Sequence, residues 1–204
     1  MREGFYIGPL MVHYYGMIIM VGIIAAAWLT TRLVGRFGED PEITWEILPW
    51  VLIAGVIGAR IWHILTPSDS LIAMGITTQY YLTHPLDALM IWRGGLGIPG
   101  AIIGGALAVW VLSRKMKFRF WVWTDAVAPG LALAQAIGRW GNFVNQEVYG
   151  MPSDLPWAIY IDPAHRMPAF AEQATYHPLF LYESLLNLLI MGILLFGIFR
   201  LSRY

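Results

Sequence analysis

Residues 138–150 form the densest group of polar side chains in a mostly apolar chain. Arg139 has a planar guanidinium whose donors match the two free oxygens of a phosphodiester. Asn142 and Asn145 can hydrogen-bond hydroxyl groups, and Gly141 and Gly150 allow close approach to the backbone. This pattern predicts a site for a phosphate ester. The alternative is a helix end held by arginine-to-carbonyl bonds, with Glu147 as the countercharge.

Other cations also lie in or beside apolar stretches. Arg93, Gly94 and Gly95 precede one such stretch, and a guanidinium beside exposed backbone N–H groups predicts an anion site. Residues 95–100 spell G-x-G-x-x-G, but they open an apolar stretch instead of following a strand, so a dinucleotide site is excluded. The later glycines, Gly100 and Gly104, indicate close helix packing.

The composition places these residues in a membrane protein. Of 204 residues, 58% are hydrophobic and only 13% are charged, and the mean hydropathy is +0.59. A soluble domain carries about 25% charged residues, so an ordinary soluble enzyme, a disordered protein and a nucleic-acid binder are excluded. There are no cysteines, which excludes disulfides and thiolate chemistry within the chain.

Long uncharged stretches predict five membrane spans. We therefore predict an all-α integral membrane protein, a polytopic helical bundle that forms a single membrane domain over residues 1–204. The first predicted span lies in the uncharged stretch 5–31, with its core at 14–29. The other predicted spans are 47–65, 94–113, 122–137 and 179–199.

Cations next to the spans set the predicted orientation, because cationic loops favour the cytoplasmic side. Eight of the thirteen lysines and arginines follow the first, third and fifth spans. The amino terminus and the segments 66–85 and 139–178 are then external. The five prolines of the second segment predict turns and short extended pieces.

Several motifs, taken together, resemble the prolipoprotein diacylglyceryl transferase family. The central one is G-R-x-G-N-F-x-N-x-E-x-x-G at residues 138–150. The resemblance extends over the whole chain, through motifs at residues 13–16, 58–60, 93–95, 125–129 and 177–183.

The resemblance implies a multi-pass enzyme of the bacterial inner membrane. Its family transfers the diacylglyceryl group of phosphatidylglycerol to the lipobox cysteine of a preprolipoprotein, forms a thioether and releases glycerol phosphate. No cofactor and no metal are implied, and the partners are membrane lipid and the signal peptide. The implied catalytic residues are Arg139, Glu147, Tyr15 and His13. The implied substrate-binding residues are Arg139, Asn142, Asn145, Gly141, Gly150, Arg60, Arg93, Gly94, Gly95 and His177.

The chain departs from the family pattern in two ways. Many members have a histidine in the turn after the glycine pair, where this sequence has Pro99, so the base is left open among Glu147, His13, His177 and Tyr15. Members usually have seven spans, with a further arginine and glutamate, so we expect this chain to be a fragment with little activity alone.

One alternative function belongs to another class. Arg60, Asp125 and Arg139 could form a relay at membrane depth in a transporter or channel. A structural membrane subunit assembled through its glycines is the other alternative. The remaining histidines, His63, His84 and His165, show no metal-ligand spacing.

Overall fold

A computed structural model describes residues 4–201, without the side chains of residues 7, 10, 93 and 201. The chain forms two compact units. The first unit combines Met1–Gly38 with Trp121–Tyr204, and the second is Glu39–Phe120. We call them the discontinuous unit and the inserted unit.

Five long helices dominate the described residues. In the discontinuous unit, α1 spans Tyr14–Arg36, α7 Phe120–Asn145 and α8 Leu179–Leu201. In the inserted unit, α2 spans Ile43–Leu65 and α6 Ile98–Met116. Three short helices lie between these two: α3 Asp69–Ala73, α4 Thr78–Thr83 and α5 Pro85–Leu89.

Small residues let the helices of the discontinuous unit pack closely. A Cβ added at Gly22 of α1 would lie 3.2 Å from the Ala134 carbonyl oxygen of α7. One added at Gly130 of α7 would lie 2.9 Å from the carbonyl oxygen of Ala26 in α1. Helix α8 is joined to α7 by the Ser184 hydroxyl, which donates to the Ala136 carbonyl at 2.9 Å. This packing fixes the carboxyl end of α7, where the polar motif lies.

Glycines also form the contact between α2 and α6 in the inserted unit. A Cβ on Gly58 would lie 2.2 Å from the Gly100 carbonyl oxygen, and one on Gly104 would lie 2.3 Å from that of Ala54. The two backbones are therefore in direct contact. The predicted packing role of Gly100 and Gly104 is confirmed.

Four of the long helices are long and apolar enough to cross a membrane. They are α1, α2, α6 and α8, and the chain is a helical, multi-pass integral membrane protein. Helix α7, which contains the predicted fourth span, is not among the four, so the count of five spans stays a prediction.

Two short antiparallel hairpins qualify the all-α prediction. Strands β1 (Gly4–Ile7) and β2 (Leu10–His13) pair through a turn at Gly8, whose φ is +60°. Strands β3 (Ile159–Tyr160) and β4 (Thr175–Tyr176) form the second hairpin. The predicted core of the first span, 14–29, lies within α1, and the Gly8-Pro9 turn reverses the chain before that helix begins.

The predicted external segments also have different boundaries. Residues 139–145 are the last two turns of α7 and not a loop, because a helix can continue where its apolar stretch ends. Residues 146–178 consist of turns, two 3-10 turns and the second hairpin, as predicted. The connection from α2 to α6 extends over residues 66–97, because α6 begins four residues later than the predicted span.

Candidate functional site

A chain of polar side chains surrounds the carboxyl end of α7. Arg139 and Asn142 are three residues apart on the helix, so their side chains meet, and Arg139 Nη1 donates to Asn142 Oδ1 at 3.3 Å. The Nδ2 groups of Asn142 and Asn145 donate to Glu147 Oε1 at 3.0 Å and 3.4 Å. The structure therefore brings together four of the predicted site residues in one network.

Glu183 holds the other side of the Arg139 guanidinium. The Nε of Arg139 forms an ion pair with Glu183 Oε2. Glu183 is the fifth residue of α8. Each side chain is about one-third exposed, at 37% and 36%. Glu183 lies in the predicted fifth span and is not among the predicted site residues, although a carboxylate inside an apolar stretch is a signal of function.

An unusual backbone turn follows the end of α7 and contains Glu147. Gln146 and Val148 both have φ of +53°, which is uncommon for a non-glycine residue and strained for a β-branched valine. The Gln146 side chain is buried and accepts the Asp162 N–H at 2.9 Å. The Glu147 N–H donates to the Asn142 carbonyl at 3.0 Å. This turn could not be predicted from the sequence, since neither residue is a glycine.

Gly141 brings Tyr15 against α7. A Cβ at this position would lie 2.6 Å from Cδ2 and 2.9 Å from Cε2 of the Tyr15 ring, in the first turn of α1. The absence of a side chain at Gly141 therefore lets the Tyr15 ring lie directly against the backbone of α7 near its carboxyl end.

Gly150 lies against a second group of polar residues. Its N–H donates to the His177 carbonyl at 2.9 Å, and an added Cβ would lie 2.8 Å from the His177 Cβ. The Nδ1 of His177 is 3.1 Å from the Tyr182 hydroxyl, which also accepts from Trp157 Nε1 at 2.7 Å. The space at Gly150 is therefore taken up by His177.

His13, the remaining predicted residue of this unit, ends β2 directly before α1. It is exposed and pairs with Gly4 across the hairpin. Its predicted catalytic role stays a prediction.

Arg60 is the centre of a separate arrangement in the inserted unit. It is 8% exposed, and its guanidinium donates to four carbonyl oxygens. Nε bonds Ala88 at 2.8 Å, Nη2 bonds Asp87 at 2.6 Å, and Nη1 bonds Gly94 at 2.9 Å and Gly95 at 3.1 Å. Arg60 thus fastens the connection between α2 and α6 to the end of α2.

The glycine pair at residues 94 and 95 adopts backbone conformations that favour glycine, with φ of +85° and +77°. A Cβ at Gly95 would lie 2.4 Å from His63 Nε2. Their carbonyl groups bind Arg60, while the side chain of Arg93 lies outside the described part of the chain. A cavity of about 240 Å³ adjoins the pair, and its lining includes Arg60, His63, Tyr81 and both glycines.

The relay proposed as an alternative gains no support from this geometry. Asp125 and Arg139 are fourteen residues apart on α7, which is about 21 Å along the helix axis. Among the described residues there is also no group of three or more His, Asp or Glu that could hold a metal ion.

The described residues define a class of protein, a multi-pass helical membrane protein with an arginine-centred polar network where one long helix ends. The family model for prolipoprotein diacylglyceryl transferase matches residues 2–203. The chain belongs to this family.

Similar proteins with known names carry the name of the same family. A phosphatidylglycerol–prolipoprotein diacylglyceryl transferase of Frankia alni is 46% identical over 190 residues, which are 93% of this chain and 48% of that protein. One from Acaryochloris marina is 39% identical over 201 residues, 98% of this chain and 70% of the relative. A third, from Streptomyces coelicolor, is 42% identical over 193 residues, which are 94% of this chain and 58% of that protein. The chain thus spans from about half to 70% of the length of these relatives.

Proposed function

We propose that the protein transfers the diacylglyceryl group of phosphatidylglycerol to the lipobox cysteine of a preprolipoprotein in the bacterial inner membrane. Membership of the family supports this reaction. One observation assigns the reaction to particular residues. At the end of α7, hydrogen bonds join the side chains of Arg139, Asn142, Asn145 and Glu147. Glu183 of α8 forms an ion pair with Arg139.

The reaction forms one bond and breaks another. The cysteine sulfur attacks the glycerol carbon that carries the phosphate, a C–S bond forms, and the C–O bond to the phosphate breaks. The electron pair leaves with the glycerol phosphate, and the thiol proton passes to a base. The site must therefore stabilise growing negative charge on the phosphate and accept one proton.

Arg139 meets the first requirement in this proposal. Its Nε and one Nη1 hydrogen bond are directed to Glu183 and Asn142, which orient the plane of the guanidinium. A fixed fork is suited to phosphate oxygens. The side chain is 37% exposed, so it can meet a ligand. Asn142 and Asn145 then bind the glycerol hydroxyls, and Gly141 lets Tyr15 lie against the same end of α7.

The proton acceptor is proposed among Glu147, Tyr15, His13 and His177. Glu147 belongs to the Arg139 network, and Tyr15 lies against Gly141. His177 is hydrogen-bonded to Tyr182 beside Gly150. Glu147 and Tyr15 are therefore the first to test.

The residues of the inserted unit are proposed to bind the lipid. Arg60 and the carbonyl groups of Gly94 and Gly95 shape the cavity beside α2. This cavity is proposed as a lipid contact separate from the Arg139 network. Arg93 is proposed as an auxiliary cation on its position in the sequence alone.

Transfer to a lipobox peptide tests the function. The complete gene product, purified into phosphatidylglycerol liposomes, is incubated with a peptide containing the lipobox cysteine and, separately, with its Cys→Ser analogue. We expect a thioether-linked diacylglyceryl adduct on the first peptide and none on the second. Absence of the adduct from both peptides, with folded protein present, would refute the proposal.

A further inference from the structure

The connection between α2 and α6 exposes an unusual row of large apolar side chains. Leu82 is 75% exposed, Leu86 72%, Leu89 70% and Trp92 76%. They belong to three short elements: Leu82 to α4, Leu86 and Leu89 to α5, and Trp92 to a 3-10 turn at Ile91–Arg93. The chain leaves the helical conformation between these elements, at His84 with ψ of 69° and at Met90 with ψ of 70°, so the four residues do not belong to one continuous helix. We call these four residues the apolar row.

The other side of the same segment is polar and attached to α2. The Asp87 and Ala88 carbonyl groups accept from Arg60. Tyr81 is 8% exposed, and its hydroxyl is 3.2 Å from His63 Nε2. The Tyr80 hydroxyl donates to Asp87 Oδ2 at 2.6 Å. The segment is therefore amphipathic, and its polar side fixes it in place.

The position of the segment identifies what covers the apolar row. It connects the end of α2 with the start of α6, and both helices have the length and composition of membrane spans. Because Arg60 binds the segment to the last two turns of α2, the segment stays at the level where that helix leaves the hydrocarbon. Amphipathic segments at this level place leucine and tryptophan among the lipid headgroups and upper acyl chains.

We propose that the apolar row inserts into the lipid interface on the membrane face where α2 ends and α6 begins. Its partner is the bilayer itself. Arg60 acts as the anchor that holds the segment flat, and the cavity beside Arg60 then lies at headgroup depth. The inference concerns the inserted unit alone and does not depend on the proposed transfer reaction.

Spin labelling can test this placement directly, because the chain has no cysteines. Leu82, Leu86 and Leu89 are replaced singly by cysteine, labelled with a nitroxide and reconstituted in the complete gene product into phosphatidylglycerol and phosphatidylethanolamine bilayers. Ser70→Cys in α3 is the matched control, since Ser70 is also exposed and lies in the same connection. Collision of each nitroxide with dissolved oxygen and with a water-soluble nickel chelate is then measured.

The placement predicts a ratio of oxygen to nickel collision several-fold higher at the three leucine positions than at Ser70. Two other results would overturn it. Leucine positions as accessible to nickel as Ser70 would place the row in water. Labels that are immobilised and shielded from both reagents would show that protein, and not lipid, covers it.

Discussion

The Arg139 guanidinium is held by a carboxylate on α8 and an amide on α7. Two fixed partners orient the plane of the group and direct its other donors. A lysine would keep the charge at this position but lose the planar fork. A comparison of lysine with alanine at position 139 therefore separates the effect of the charge from the effect of the planar group.

We expect Arg139→Lys to lose nearly as much activity as Arg139→Ala, on the order of a hundredfold or more in rate, because an oriented donor in a preorganised site is lost. The amount of folded protein should stay close to normal. Turnover per folded molecule of the complete gene product is the measurement.

Arg166→Lys is the matched control for this experiment. Arg166 donates to the Ile161 and Ala171 carbonyls, so it supports the loop between α7 and α8 and has no proposed contact with substrate. The Arg166→Lys substitution should lower the amount of folded protein without changing the turnover per folded molecule. If the Arg139 variants behave in the same way, Arg139 has only a structural role.

Gly141 permits a second prediction about a single residue. In Gly141→Ala the new Cβ would lie 2.6 Å from the Tyr15 ring, so the ring must move away from the end of α7. We expect a clear fall in transfer rate, because Tyr15, one of the proposed proton acceptors, would be displaced from the end of α7.

Gly138→Ala, one turn earlier on the same helix, is the control. Its Cβ would lie 3.5 Å from Ile19 Cδ1, which is an ordinary contact, and alanine favours a helix over glycine by about 1 kcal/mol. Its rate should match that of the unmodified protein. Equal rates in both variants would show that the position of Tyr15 is unimportant.

Among the helices, the α2–α6 pair shows how close packing depends on individual glycines. Adjacent residues differ sharply: a Cβ on Gly104 would lie 2.3 Å from the Ala54 carbonyl oxygen, and one on Gly105 would lie 3.7 Å from Val51 Cγ1. Only the first lies in the backbone contact.

Gly104→Ala should destabilise the protein by about 1–3 kcal/mol, the usual cost of overpacking, while Gly105→Ala changes little. The thermal unfolding midpoint of each variant, purified in the same detergent, is the measurement. Similar midpoints for the two variants would contradict the close α2–α6 contact.

The helices differ in how well the sequence predicts them. Apolar stretches locate α1, α2, α6 and α8 to within several residues, because membrane spans need long uncharged runs. They do not predict that α7 continues to Asn145, since its last turns are polar and their helical bonds do not depend on hydrophobicity. They also give no indication of α3, α4 and α5, which are too short to show a period.

The same contrast holds for the site. The types and spacing of Arg139, Asn142, Asn145 and Glu147 predict that they act together. The partnership with Glu183, 44 residues away, and the left-handed turn at Gln146 and Val148 depend on tertiary packing, so only the structure shows them. Arg60 was predicted to bind substrate, and its four bonds to carbonyl groups could not be read from its sequence position.

For the whole molecule, the distribution of cations predicts the orientation in the membrane. Four of the six residues 114–119 are cationic, so Lys115 should be cytoplasmic and Pro156 external. Single cysteines at the two positions, in a chain with no native cysteine, are treated with a membrane-impermeant maleimide. The cysteine at 156 should react in cells whose outer membrane alone is permeabilised, and the one at 115 only after the inner membrane is opened. The reverse order would contradict the orientation.

In the proposed reaction a diacylglyceryl group, and no other part of the lipid, moves to a cysteine sulfur. The most direct measurement uses phosphatidylglycerol deuterated in its diacylglyceryl part and, in a parallel reaction, in its headgroup glycerol, with the mass of the lipobox peptide as the readout. The peptide should gain the deuterated diacylglyceryl mass in the first reaction and no deuterium in the second. The bond should resist hydroxylamine, as a thioether does. A peptide that carries headgroup deuterium, or an adduct that hydroxylamine removes, would refute the proposed transfer.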